Sequence, residues 1–179
     1  ERTVAVAQNV RSVYDTDLYA PIFERIRQAS GVTLDSSEET DRALYVLADH
    51  ARAMAFLIAD GVRPGNQRHE YVLRRIIRRA TLQAYSKLGM GAEEVARLVE
   101  VVVDHMGDFY EELEHARENI RRIMTDEAAR FVEIYQNGLD LLEAEINRLS
   151  GGHFPGDVAF TLHDTYGFPV EVTREVLAD

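Results

Sequence analysis

Apolar and charged positions separate most sharply at Tyr71-Val-Leu-Arg-Arg-Ile-Ile-Arg-Arg-Ala80. At about 100° per residue, Val72, Leu73, Ile76, Ile77 and Ala80 fall on one arc, and Arg74, Arg75, Arg78 and Arg79 on the other. The spacing predicts a helix with one side toward a core and the other toward carboxylates or a polyanion. The same periodicity predicts helices along most of the chain. Val4, Val6, Ala7 and Val10 mark a helix from Arg2 to about Ser12, followed by a turn at Tyr14-Asp-Thr-Asp17 with cap candidates. Pro21 suits a first helical turn, and Gly31 stops that helix after Ser30. Ser36-Ser-Glu-Glu39 resembles a capping box opening a long helix that ends at Asp60 and Gly61. Its interior (Ala43, Leu44, Leu47, Ala51, Met54, Ala55, Leu57, Ile58) is apolar on more than one side, which makes it central.

Pro64-Gly65-Asn66 predicts a loop before the Arg-striped helix, which runs to about Leu88 and Gly89. Ala92 to Met106 follows as a helix. Val101-Val-Val103 also fits a strand, but no partner strand is evident. From Asp108 to Leu149 the pattern is helical, with i,i+4 pairs such as Glu118 with Arg122, and Thr125-Asp126 offers a cap that would divide it. Gly138 is a weak position within it. Ser150 to Gly156 is a break, Asp157 to His163 a short helix, Tyr166-Gly-Phe-Pro169 a turn, and Val170 onward a last helix. The expected fold is all-α: several helices, a long helix or helix pair in the C-terminal half, and a short terminal helix-turn-helix.

Composition narrows the reading. The chain has 179 residues, enough for one sizeable core, and no apolar run nears the roughly 20 residues that span a bilayer. No secretory leader is visible, and with zero cysteines there are no disulfides or thiolate metal sites. A cytoplasmic setting with no membrane contact is expected. The first residue is Glu1 rather than Met, and the last residues run out of a helical pattern, so the chain reads as a piece of something larger.

The formal net charge is -11, which argues against coating nucleic acid indiscriminately. Yet six arginines (Arg63, Arg68, Arg74, Arg75, Arg78, Arg79) and one acid (Glu70) lie between positions 63 and 79. The stripe has two readings: contacts to a phosphate backbone, or ion pairs with Asp104, Asp108, Glu111, Glu112 and Glu114. Asn66 can address a base edge, or make an Asx turn or cap. Asp164 can accept from an exocyclic amine, or cap a turn. Tyr166 and Phe168 are expected in the core. The six histidines include no i,i+3 or i,i+4 pair, so no metal site is expected.

Together these stretches carry a resemblance. Asp49-His-Ala-Arg-Ala-Met-Ala-Phe-Leu-Ile-Ala-Asp-Gly-Val-Arg-Pro-Gly-Asn66, then Tyr71 to Ala80, then Asp164-Thr-Tyr-Gly-Phe-Pro169 resemble the alanyl-tRNA synthetase family. Tyr14 to Leu18 and Tyr110-Glu-Glu-Leu113 sit in the matching order, so the likeness covers nearly the whole chain. It implies that residues 1–12 are the tail of a class II catalytic domain, with Arg2 an ATP-phosphate contact of the parent enzyme. It implies that residues 13–179 are the helical tRNA-recognition domain. The parent would attach alanine to tRNA(Ala) with ATP and magnesium and carry zinc in an editing domain. This stretch would hold no catalytic residue and no cofactor of its own.

By the same resemblance, Asn66 and Asp164 read a G·U pair in the acceptor stem, and Arg63, Arg68, Arg74, Arg75, Arg78 and Arg79 position its backbone. A wobble pair leaves the guanine 2-amino group free in the shallow minor groove, where a carboxylate can accept from it and an amide can satisfy a uracil carbonyl. By analogy with DNA, such a contact discriminates by about 1–3 kcal/mol. Anticodon reading, the role of helical appendages in other synthetases, is the weaker alternative. A helical structural module with an internally neutralised Arg stripe is the competing class. Two positions depart from the family pattern. Glu70 stands where Gly is usual and can pair with Arg74, and His163 stands where Tyr is common.

Overall fold

The computed structural model describes residues 1–149 and 153–178. It is all-α: α1 (Arg2–Ala7), α2 (Ala20–Ser30), α3 (Glu38–Ala59), α4 (Arg68–Leu88), α5 (Ala92–Met106), α6 (Glu111–Arg148), α7 (Gly156–Asp164) and α8 (Val170–Val176), with a 3-10 turn at Val13–Asp15. No strand occurs among the described residues, and Val101 to Val103 lie inside α5 with Val102 and Val103 buried. The predicted break at Ser150 to Gly156 includes residues 150–152, which lie outside the described residues.

The chain divides into two compact units, Glu1–Ala129 and Arg130–Asp179, with the division inside the α6 sequence. In the first unit α3 is central and packs against α2, α4 and α5. Its apolar residues Ala43, Leu44, Leu47, Ala51, Met54, Ala55 and Ile58 are all buried, as the pattern predicts, while Leu57 is half-buried. Ser37 caps α3 by accepting from the Thr40 amide at 3.1 Å. Its third helical residue is Thr40 rather than Glu or Gln, so the reciprocal half of a capping box is missing. Lys87 near the end of α4 meets Glu39 at the start of α3 at 2.7 Å, as the antiparallel packing of the two helices allows. Tyr14, Phe23 and Tyr45 join the 3-10 turn, α2 and α3, with Tyr14 and Tyr45 centroids 4.4 Å apart.

Three expectations change. The first helix ends at Ala7 rather than Ser12, because Asn9 takes a left-handed φ of 54°. Ser12 instead caps the 3-10 turn, accepting from Tyr14 N while Asp15 accepts from Ser12 N. Thr125 and Asp126 do not divide α6: both are exposed, and Ile123, Met124 and Ala128 keep the apolar stripe in phase beneath them. Glu118 pairs with Arg121 at 2.6 Å rather than with Arg122, which donates to Asn119.

In the second unit, Phe131, Leu142, Leu162, Phe168 and Val172 are buried. Gly138 is not merely tolerated there. A methyl group at Gly138 would come within 2.6 Å of Phe168 Cγ and 2.8 Å of Cε2, so the helix surface must be bare for the ring to reach it. Phe168 is fully buried as expected, and its ring lies 5.9 Å from that of Tyr135. Tyr166 is 48% exposed, contrary to the core position expected for it, because the turn after α7 points it outward.

Candidate nucleic-acid interface

Helix α4 buries Leu73, Ile77, Ala80, Thr81, Ala84 and Leu88, a stripe at three- and four-residue intervals. Ile76 lies at the edge of this stripe and is half-buried. Val72 was expected on the buried arc but is 50% exposed, since it sits one residue off the buried stripe that begins at Leu73.

The arginine face is split. Arg74 and Arg78, four residues apart, both turn toward Glu127 of α6. Arg78 Nε donates to Glu127 Oε1 at 3.1 Å, and Arg74 Nε stands 3.4 Å from the same oxygen. Glu127 is 4% exposed and both guanidiniums are half-buried. Arg75 and Arg79 are exposed, and no ion pair holds either of them among the described residues. Some neutralisation of the stripe therefore occurs within the chain, but not by the acids expected. Asp104 and Glu114 pair with Arg117 instead, each at 2.6 Å.

Arg74 also organises the loop before its own helix. Its Nη2 donates to the Pro64 carbonyl at 3.3 Å, and its Nη1 donates to Asn66 Oδ1. The loop closes on the helix through Gly65 N, which donates to the Glu70 carbonyl at 3.0 Å. A methyl group on Gly65 would lie 2.7 Å from Glu70 Cβ, so glycine is required for this approach. Glu70 thus covers the loop instead of pairing with Arg74 as expected. Arg68 enters the helix at a left-handed φ of 46°, a conformation that a non-glycine residue holds only where its surroundings impose it.

Asn66 is exposed. With Oδ1 taken by Arg74, its amide presents the NH₂ donor to solvent. Arg63 and Arg68 are exposed on either side of the loop.

In the second unit, Asp164 is the last residue of α7 and is exposed. A carboxylate at a helix C-terminus opposes the helix dipole, so the position is unfavourable for folding alone. The turn behind it is tightly bonded: Gly167 N donates to the His163 carbonyl at 3.1 Å and Phe168 N to the Leu162 carbonyl at 2.9 Å. His163 Nδ1 lies 3.3 Å from the Phe168 carbonyl, so this departure from the family pattern braces the same turn. Asn66 and Asp164 belong to different units, and each is described within its own. Arg2 is exposed on α1, and residues 1–12 pack within the first unit through Ala5 and a Gln8 contact to Asp17 N at 3.2 Å.

Sequence reasoning missed two features. Glu127 was not singled out, although it is the only charged side chain buried among the described residues. An acid on the apolar side of α6, beside Ala128 and Met124, was the available signal. The second is a groove of about 770 Å³ along α3, lined by Tyr14, Tyr45, Asp49, His50 and Arg79. Burial and the Arg79 guanidinium push the His50 imidazole below its usual range, against the opposing pull of Asp49. No helix of the described residues is long and apolar enough to cross a membrane.

The family model described as tRNA synthetases class II (A) matches residues 1–179, the whole chain. The chain is similar to the alanine–tRNA ligase of Rubrobacter xylanophilus, 68% identical over 179 residues that cover 100% of this chain and 20% of that protein. It is 46% identical to the alanine–tRNA ligase of Lawsonia intracellularis over 98% of this chain, and 45% identical to that of Acidithiobacillus ferridurans over 98% of this chain. It spans 20% of the length of each of these relatives. The chain belongs to the class II tRNA synthetases, in the alanyl-tRNA synthetase family that its motifs resemble.

Proposed function

We propose that this chain is the acceptor-stem recognition segment of an enzyme that attaches alanine to tRNA(Ala). Asn66 and Asp164 read the G·U pair, and Arg63, Arg68, Arg75 and Arg79 hold the backbone. The observation that carries this reading is the polarity of Asn66. Its oxygen is occupied by Arg74, so the group it offers is a donor, the complement of a uracil carbonyl. Asp164 offers the opposite polarity, an exposed acceptor suited to the guanine 2-amino group. Its place at the C-terminus of α7 is electrostatically unfavourable, which is reasonable for a residue kept for binding.

Phosphate contacts supply affinity and orientation, and base contacts supply discrimination. Arg75 and Arg79 are exposed and available for the first task. Arg74 and Arg78 brace the fold on Glu127 rather than contact RNA. The alternative of a purely structural, neutralised stripe is favoured for those two residues alone. Alanine activation with ATP and magnesium is assigned to the parent's catalytic domain, to which Arg2 contributes as the tail of its third motif. Residues 13–179 form the recognition domain, and any zinc belongs to an editing domain elsewhere in the parent.

The test is fluorescence anisotropy of the chain with a labelled acceptor-stem hairpin carrying G·U or G·C at the third pair, over a salt series. Salt-sensitive binding that prefers G·U, with the preference lost in Asn66→Ala, supports the proposal. Salt-sensitive binding without preference moves discrimination elsewhere. No binding at low salt favours the structural reading.

A further inference from the structure

We infer that Glu127 is a positioning residue for base recognition by Asn66, acting through the guanidinium of Arg74. The inference rests on the proposed reading of the G·U pair. It adds a specificity determinant on α6, a helix that carries none of the base-reading or backbone-contacting side chains assigned to the first unit.

Burying a carboxylate is unfavourable unless fixed partners surround it. Glu127 is 4% exposed, and its Oε1 faces Arg74 Nε at 3.4 Å and Arg78 Nε at 3.1 Å. The attraction pins the Nε edge of Arg74. A guanidinium is planar and rigid, so fixing one edge fixes where the other two nitrogens point. Those nitrogens donate to the Pro64 carbonyl at 3.3 Å and to Asn66 Oδ1. Arg74 Nε makes no hydrogen bond among the described residues, so its plane is set by the ion pair to Glu127 together with the two hydrogen bonds, and Arg74 in turn defines which end of the Asn66 amide faces outward.

An amide is nearly symmetric in shape and opposite in polarity at its two ends. Rotated by half a turn, Asn66 would offer an oxygen to the uracil carbonyl and repel it. Glu127 therefore sets the sign of the Asn66 contact without touching RNA. The pull of Glu127 on Arg74 is an ion-pair attraction without a hydrogen bond, so a neutral glutamine at 127 would hold Arg74 more loosely.

The test compares the G·U and G·C hairpins in wild type, Asn66→Ala, Arg74→Lys and Glu127→Gln. Circular dichroism serves as a folding check, and ¹⁵N NMR follows the Asn66 side-chain amide without RNA. Arg74→Lys keeps the charge but cannot bridge all three acceptors. We expect it to cut the G·U preference by about tenfold, the value of one well-placed base contact, and Glu127→Gln by about threefold. G·C binding should change by less than about twofold in both. The Asn66 amide should become more mobile in both. A merely structural role would weaken G·U and G·C binding together, and that result overturns the inference. An unchanged preference and an unchanged Asn66 amide in both variants, with the preference lost in Asn66→Ala, overturns it while leaving the proposed function standing. A preference retained in Asn66→Ala overturns both.

Discussion

Arg78 donates from Nε to Glu127 Oε1 at 3.1 Å, across 49 positions of sequence, and ties α4 to α6 through a buried carboxylate. Breaking a buried ion pair from one side leaves the other charge uncompensated, at a cost of about 3–5 kcal/mol. The guanidiniums here are half-buried and keep some water, so Glu127→Ala should lose about 2–3 kcal/mol by urea unfolding. Glu127→Gln, which retains an acceptor, should lose less than half of that. A loss below about 0.5 kcal/mol in Glu127→Ala, the range of surface substitutions, would show that water replaces the carboxylate freely.

Gly138→Ala should destabilise the second unit, against the usual gain of about 1 kcal/mol from replacing a mid-helix glycine. The added methyl group would overlap the Phe168 ring, and overpacking costs about 1–3 kcal/mol. Thermal unfolding followed by the tyrosine signal checks the sign. An increased Tm would mean that Phe168 is free to move aside.

Stability should fall on mild acidification. Burial, aided by the Arg79 charge, holds the His50 imidazole below its ordinary value of 6.5 despite the attraction of Asp49. Between the folded and unfolded values the unfolded chain binds the extra proton, so stability rises with pH across that window. The contribution is complete above 6.5 and is lost as the pH falls toward the folded value. Denaturant midpoints measured from pH 7.5 downward should decline, and His50→Gln should flatten the decline. Identical profiles for the two proteins would contradict the assignment.

Arg75→Gln and Arg79→Gln should each weaken binding to G·U and G·C hairpins alike. Each should also reduce the slope of log K against log salt by about one. Arg121→Gln, which removes an exposed pair with Glu118 on α6, should leave the slope unchanged. A selective loss for G·U in Arg75→Gln would place that residue on a base instead.

The helices were largely legible in the sequence, because apolar residues at three- and four-residue spacing fix which face is buried. Gly31 and Gly89, both with positive φ, close their helices where the pattern ended. The Arg stripe was legible as a stripe but not as two functions. Periodicity puts Arg74, Arg75, Arg78 and Arg79 on one face, but which pair turns inward depends on Glu127, a long-range partner that helical spacing does not encode. The same limit explains Gly138, whose reason is a ring 30 residues further along the chain. The left-handed φ of Asn9 was likewise invisible to a periodicity that continued through Val10. Asn66 and Asp164 were legible as candidates with two readings each, and only the family resemblance chose base contact over the commoner cap or turn role.

The most direct test removes the recognised atom from the RNA instead of the protein. Replacing guanosine by inosine in the G·U pair deletes only the 2-amino group that Asp164 is proposed to accept from. Anisotropy is measured with G·U and I·U hairpins, on wild type and on Asp164→Asn. We predict that wild type prefers G·U by about tenfold, that Asp164→Asn removes the difference, and that binding to I·U is the same for both proteins. Equal binding of the two hairpins by wild type, or a full G·U preference surviving in Asp164→Asn, would contradict base reading by this residue.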